Sequence, residues 1–185
     1  MPGTLFLLTG VSGVGKTTVT KRLLGNNPHL KRIVTYTTRP PREGEINGVS
    51  YHFVDQQTFR AMIDADAFLE WANVYGNNYG ETKSDVENLQ RQGFDVLIVL
   101  DPQGAKTIKT SGVKAVAIFL DATDEEILKR LTSRGKDHPD VIQKRIDAMT
   151  FDRSHIGSCD VVIKNSQGEL ETTVKKIEAF IKQAK

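Results

Sequence analysis

The chain has 185 residues, with 25 Lys and Arg against 23 Asp and Glu and a single cysteine. That length suits one domain with small inserted lobes and a real core. The near balance of charge excludes a general nucleic-acid or membrane surface, and the lone Cys159 excludes an internal disulfide and a multi-cysteine zinc site. The amino-terminal MPGTLFLLTG has no basic start, and its apolar stretch covers only Leu5 to Leu8, too short for a signal peptide or a membrane span. A soluble cytoplasmic protein is expected, a monomer or homodimer without nucleic-acid or membrane partners.

In chain order, TLFLLTG (4–10) predicts a buried strand, and residues 15–25 predict a helix leading out of a glycine loop. From about 35 to 82 the runs are shorter and more polar (VTYTT, SYHFV, FLEWANV). Turn residues separate them, as in EGEING and YGNNYG, which predicts a small inserted sheet-rich lobe. SDVENLQRQG (84–93) carries a serine start and a glycine stop for a helix. DVLIVLD (95–101) and AVAIFLD (115–121) predict two more strands that are apolar nearly throughout, as in a parallel sheet covered on both faces. TDEEILKRLTSRG (123–135) has a threonine cap, an acidic first turn, later basic residues and a glycine stop. Residues 124–153 are dense in charge, with Arg130, Arg134, Arg145 and Arg153, and read as two helices around GKDHPD. DVVIKN (160–165) predicts a last strand, and Cys159 beside it reads as an inert thiol. An amphipathic helix from Gly168 closes the chain. The alternation predicts an α/β fold with a doubly wound parallel sheet.

The strongest motif is GVSGVGKT, residues Gly10, Val11, Ser12, Gly13, Val14, Gly15, Lys16 and Thr17. It matches the P-loop pattern, follows an apolar strand and precedes a helix-compatible run. The glycines let successive N–H groups turn inward toward phosphate, Lys16 adds a point charge, and the Thr17 hydroxyl suits Mg²⁺. A GTPase would need both N-K-x-D and D-x-x-G; the base-reading N-K-x-D does not occur, and DPQG (101–104) comes near the switch only in its bare spacing. An acceptor site is therefore expected. TYTTRPPREGE (35–45) is its candidate, because Arg39 and Arg42 on a proline-braced turn present guanidinium forks to phosphate.

GVSGVGKT, TTRPPREGEINGVSYHFV, FLEWANVYGNNYG, LDPQGA and RLTSRGKD, in that order and spacing, resemble the guanylate kinase family over about residues 4–165. The resemblance implies transfer of the ATP γ-phosphate to GMP with Mg²⁺, and three parts. These are a core (1–34, 83–123 and 154–185), an NMP-binding lobe (35–82) and a lid (124–153). It places ATP at residues 10–17 with Thr18, Arg130 and Arg134. It places GMP at Thr35, Arg39, Arg42, Tyr51, Glu70, Tyr79 and Asp101, with Glu70 accepting from guanine N1–H and the 2-amino group. Lys16, Arg39, Arg134 and Arg145 are the implied catalytic residues, and Thr17 and Asp101 the implied Mg²⁺ ligands. Arg130 reads equally as an i,i+4 partner of Glu126, and Asp101 also as a helix cap.

Two positions depart from the family pattern. Glu81 stands where a Ser or Thr hydroxyl usually donates toward guanine O6, and a one-residue shift would bring Thr82 there instead. Val99 replaces the first acid of the usual D-x-D. Two alternatives follow: a related kinase for another phosphorylated small molecule, and a non-catalytic phosphopeptide-binding module. The intact Lys16 and Thr17 weigh against the module.

Overall fold

The computed structural model describes residues 2–74, 76–133 and 147–184. Arg134, Gly135 and Arg145, and with them the turn GKDHPD, lie outside the described residues.

Five parallel strands form the main sheet in the order β2 (Leu30–Arg32), β7 (Asp95–Val99), β1 (Leu5–Gly10), β8 (Ala115–Asp121) and β9 (Val161–Lys164). β1 is buried along its whole length because helices cover both faces. Alternate side chains feed two separate cores. Phe6 and Leu8 pack with α1 (Lys16–Asn26), α5 (Asp124–Ser133) and α7 (Leu170–Gln183). Leu5 and Leu7 pack on the other face with Val86 of α3 (Lys83–Arg91) and with Ala105 and Ile108 of α4 (Pro102–Thr110). Residues 147–153 are helical and are called α6.

A second sheet, ordered β4 (His52–Phe53), β3 (Tyr36–Thr37), β6 (Asn77–Thr82) and β5 (Phe68–Val74), branches from the core after β2. Helix α2 (Gln56–Asp64) starts where Asp55 accepts from the Thr58 N–H at 2.6 Å, and its Phe59 ring stacks on Phe68 of β5. β5 and β6 are antiparallel, with a register shift between Phe68 and Glu70. The extra residue, Leu69, is a bulge, and it sets Glu70 directly opposite Glu81.

The main sheet holds the four strands expected from the sequence, and among the described residues β2, α2, α4 and a short helical turn at Ile156–Ser158 come in addition. β2, α2 and α4 are short, and their apolar spacing is too brief to stand out. The strand expected through Asp101 stops at Val99 because Asp101 caps α4, accepting from the Gly104 N–H at 2.9 Å. The helix expected from Ser84 begins at Lys83 because Thr82 is its cap. The last helix starts at Leu170, two residues after Gly168.

Candidate functional site

The loop from Gly10 to Thr17 joins the carboxyl end of β1 to α1. Val11 and Val14 are fully buried and anchor it, while the backbone turns through positive φ at Gly13 between them and at Gly15 just after Val14. Gly10 admits no side chain, since a Cβ there would lie 2.1 Å from the Leu120 carbonyl oxygen of β8. Gly15 precedes α1 and supplies no side-chain cap, and the first turn of α1 has no acidic residue. The amide end of α1 is therefore open to an anion. Lys16 folds back over the loop, its Nζ donating to the Gly10 carbonyl at 2.6 Å and to the Val11 carbonyl at 3.3 Å. Thr17 and Thr18 are exposed on the first turn of α1.

Three residues far along the chain hold this loop. Arg130 Nη1 and Asn165 Nδ2 both donate to the Val14 carbonyl, each at 2.8 Å, and Arg130 Nη2 donates to the Asn165 carbonyl at 2.6 Å. Arg130 thus braces the loop through backbone oxygens, while Glu126 accepts from the Thr123 and Gln167 N–H groups. The Ser12 N–H donates to Asp152 Oδ2 of α6 at 3.1 Å. Burial raises the Asp152 carboxyl above its ordinary value, against the Ser12 bond and the nearby Lys16 charge.

A cavity of about 400 Å³ lies between the two sheets, lined by Thr35, Tyr51, Glu70, Tyr79, Glu81 and Asp101, and also by Arg32 and Val99. Most of the expected acceptor residues are brought together there. A second cavity of about 700 Å³ shares Glu70 and Asp101 with it and reaches Asp152, so the cleft runs from the inserted lobe toward the loop. The Arg39 guanidinium lies over the ring of Tyr51, a lining residue of the first cavity, 5.4 Å from the ring centroid. Its Nη2 donates to both oxygens of Glu45, at 2.8 and 2.9 Å. The Glu45 bond holds the Arg39 guanidinium above its ordinary value, and Arg39 in turn depresses the Glu45 carboxyl. Arg42 is exposed on the same turn, with its backbone N–H bonded to Glu45 Oε2 at 2.7 Å.

Glu81 is buried, and its Oε1 accepts from the Thr35 hydroxyl at 2.8 Å. Burial pushes its carboxyl up to about 7, against the Thr35 bond and the Arg32 charge. Burial, with the charges of Glu81 and Asp101, pushes the Glu70 carboxyl up to about 8. The hydroxyl of Thr35, one of the residues expected at the GMP site, is turned to Glu81. The shift that would bring Thr82 to the base is not seen. Thr82 is buried at the cap of α3, where its hydroxyl donates to Asp85. Sequence reading passed over Arg32, Glu45, Asp152 and Asn165. Glu45 lies within the quoted loop, whereas Asp152 and Asn165 reach the P-loop across more than 130 residues of chain.

Thr17 and Val99 share a further cavity of about 260 Å³ with Arg32. Among the described residues no cluster of three His, Cys, Asp or Glu could hold a metal alone. A hydroxyl at a phosphate loop plus one carboxylate, the donor set of Thr17 and Asp101, fits Mg²⁺, which takes oxygen ligands mainly from phosphate and water. No described helix is long and apolar enough to cross a membrane.

A glycine loop feeding a helix at the carboxyl edge of a parallel sheet, facing a lobe with its own cavity, defines a P-loop nucleotide-binding α/β protein. The family model described as guanylate kinase matches residues 3–184. The chain is 44% identical over 168 residues to a guanylate kinase of Dechloromonas aromatica (strain RCB), covering 90% of this chain and 83% of that one. It is 41% identical over 186 residues to a guanylate kinase of Aromatoleum aromaticum, covering 100% and 90%. The solved guanylate kinase of Anaplasma phagocytophilum superposes with a TM-score of 0.76 at 27% identity, over 98% of this chain and 86% of that one. The chain belongs to the guanylate kinase family.

Proposed function

We propose that this chain transfers the γ-phosphoryl group of ATP to GMP, giving ADP and GDP. The observation that carries the reading is the pairing of an intact P-loop with a separate cavity lined by Thr35, Tyr51, Glu70, Tyr79, Glu81 and Asp101, with the Arg39 guanidinium against the Tyr51 ring. The loop amides, the α1 amino terminus, Lys16 and Thr18 bind the ATP phosphates. Arg39, Arg42, Tyr51 and Tyr79 hold the GMP phosphate, and Glu70 accepts from guanine N1–H and the 2-amino group. Asp101, at the carboxyl edge of the sheet, flanks the acceptor.

The acceptor phosphate oxygen is already anionic, so the reaction needs positioning and charge neutralisation rather than a strong base. That oxygen bonds to the γ-phosphorus as the bond to the β–γ bridging oxygen breaks, and ADP leaves. Arg39 and the lid arginines Arg134 and Arg145 spread positive charge over the transferring group. Mg²⁺, held by Thr17 with Asp101 nearby, would neutralise charge on the β- and γ-phosphates. Closure of a lobe (35–82) and a lid (124–153) on a core (1–34, 83–123 and 154–185) excludes water, which would otherwise hydrolyse ATP. A reducing cytoplasmic setting fits the free Cys159. ADP release measured with ATP, Mg²⁺ and GMP, against no acceptor, tests the reading. An absence of GMP-dependent release at millimolar acceptor overturns it.

A further inference from the structure

The bulge at Leu69 places Glu70 directly across from Glu81 on the β5–β6 ladder. Opposed cross-strand side chains share a face with Cβ atoms about 5 Å apart, and like charges there repel. Asp101 adds a third acidic group to the same cavity. Two carboxyls so placed keep one proton between them near neutral pH. Their neighbours decide which one keeps it. The Thr35 hydroxyl donates to Glu81, and the Arg32 guanidinium on the cavity wall also favours charge there. Burial and Asp101 favour the neutral form at both groups, but at Glu81 the Thr35 bond and Arg32 oppose them, whereas at Glu70 the charge of Glu81 adds to them and nothing opposes. The cavity therefore presents a carboxylate at Glu81 and a carboxylic acid at Glu70.

That arrangement selects a purine edge. A carboxylic acid donates through its O–H and accepts through its C=O, the complement of a ring nitrogen lone pair beside an amino group, whereas a carboxylate only accepts. The pairing edge of a purine has three positions. If Glu70 spans N1 and the 2-substituent, Glu81 falls opposite position 6. The favoured pattern is a donor at 6, an acceptor at N1 and a donor at 2. Guanine offers an acceptor at 6 and donors at N1 and 2, so it pairs only after the proton moves from Glu70 to Glu81, against Thr35 and Arg32.

We propose that Glu81 is the base-selecting residue, and that the acceptor cavity takes the monophosphate of a purine with amino groups at positions 2 and 6 at least as well as it takes GMP. This rests on the acceptor-site reading above, with ATP as donor and the same bonds made and broken at phosphorus. Adenine supplies the 6-amino group and the N1 acceptor but leaves the Glu70 carbonyl unpaired.

Initial rates with ATP and Mg²⁺ at pH 7, using GMP, 2,6-diaminopurine riboside monophosphate and AMP, test the proposal. The diaminopurine nucleotide is expected to equal or exceed GMP in kcat/KM, and AMP to fall about ten- to a hundredfold below it. Glu81→Ser supplies a hydroxyl donor and should move the diaminopurine-to-GMP ratio toward GMP by about tenfold or more. Glu81→Gln preserves shape, can donate, and should move the ratio the same way. GMP turnover without diaminopurine turnover overturns the proposal and leaves the GMP reading standing. A ratio unchanged in both variants removes Glu81 from base selection. Turnover of neither purine overturns the acceptor-site reading and this proposal with it.

Discussion

Arg39 is held by Glu45: one guanidinium nitrogen bonds both carboxylate oxygens, and the same carboxylate takes the Arg42 backbone N–H. Glu45 also closes the turn, its own N–H donating to the Arg42 carbonyl at 3.0 Å. One acidic side chain therefore holds the Arg39 guanidinium and the backbone of Arg42. The arginine fork is set before a ligand arrives, so less orientational freedom is lost on binding.

Removing either partner should consequently act on the acceptor side. Arg39→Ala is expected to raise the acceptor KM by about tenfold or more and to lower kcat, with the ATP KM little changed. Glu45→Gln should raise the acceptor KM by a smaller factor, about threefold to tenfold, by loosening the turn while leaving both charges in place. Steady-state kinetics with each substrate varied separate these outcomes, and a rise confined to the ATP KM would contradict the assignment.

Lys16 spans the loop through the Gly10 and Val11 carbonyls, and in the proposed reaction its ammonium meets the outer phosphates of the triphosphate. Lys16→Ala should lower kcat by at least about a hundredfold, the scale for losing one charged group aimed at the transferring phosphoryl. Thermal unfolding should be little altered, since no core contact is lost. A variant with near-normal kcat would show that the lysine only braces the loop.

The carboxyl pair makes a stability prediction with a definite sign. Glu70 and Glu81 are raised from an ordinary 4.5 to about 8 and about 7. Between those limits the folded chain holds protons that the unfolded chain has released, so their contribution to stability is full below about pH 4.5 and declines as pH rises through 7 to 8. Glu81→Gln removes one of the two titrations. Its melting temperature relative to the parent should rise by a few degrees between pH 5 and pH 8.5. A pH-independent difference would mean that Glu81 ionises normally in the fold.

How far the sequence foretells this site depends on how local each interaction is. The P-loop is legible because Gly10 to Thr17 are contiguous and their spacing carries its own mechanism. The fully apolar strands announced a sheet covered on both faces, and Leu5–Leu8 divides between two cores as that requires. Glu81 stood out as an odd residue, but its meaning depended on the bulge at Leu69. Without that extra residue Glu70 would face Gly80, and no periodicity in FLEWANV reveals a one-residue shift. Asp152 and Asn165 meet the loop only through tertiary packing, so their roles have no signature in the chain, and the bond from Arg130 to the Val14 carbonyl is likewise tertiary.

That packing gives the last prediction. The Val14 carbonyl accepts from both Arg130 and Asn165, and Asn165 is buried. The Val14 carbonyl shares a planar peptide with the Gly15 N–H, so its direction sets how that amide faces. Asn165→Ala leaves the Arg130 bond in place and should cost about 1–2 kcal/mol of stability. It should also raise the ATP KM severalfold, because the loop loses half its brace, while the acceptor KM stays near normal. Arg130→Ala removes the other half and, in addition, the bond to the Asn165 carbonyl, so its effect on the ATP side should be larger. Since the two residues share one acceptor, the double variant should cost more than the sum of the singles. Urea unfolding and ATP titration of the four proteins measure both quantities, and strict additivity in the ATP KM would show that the residues act separately.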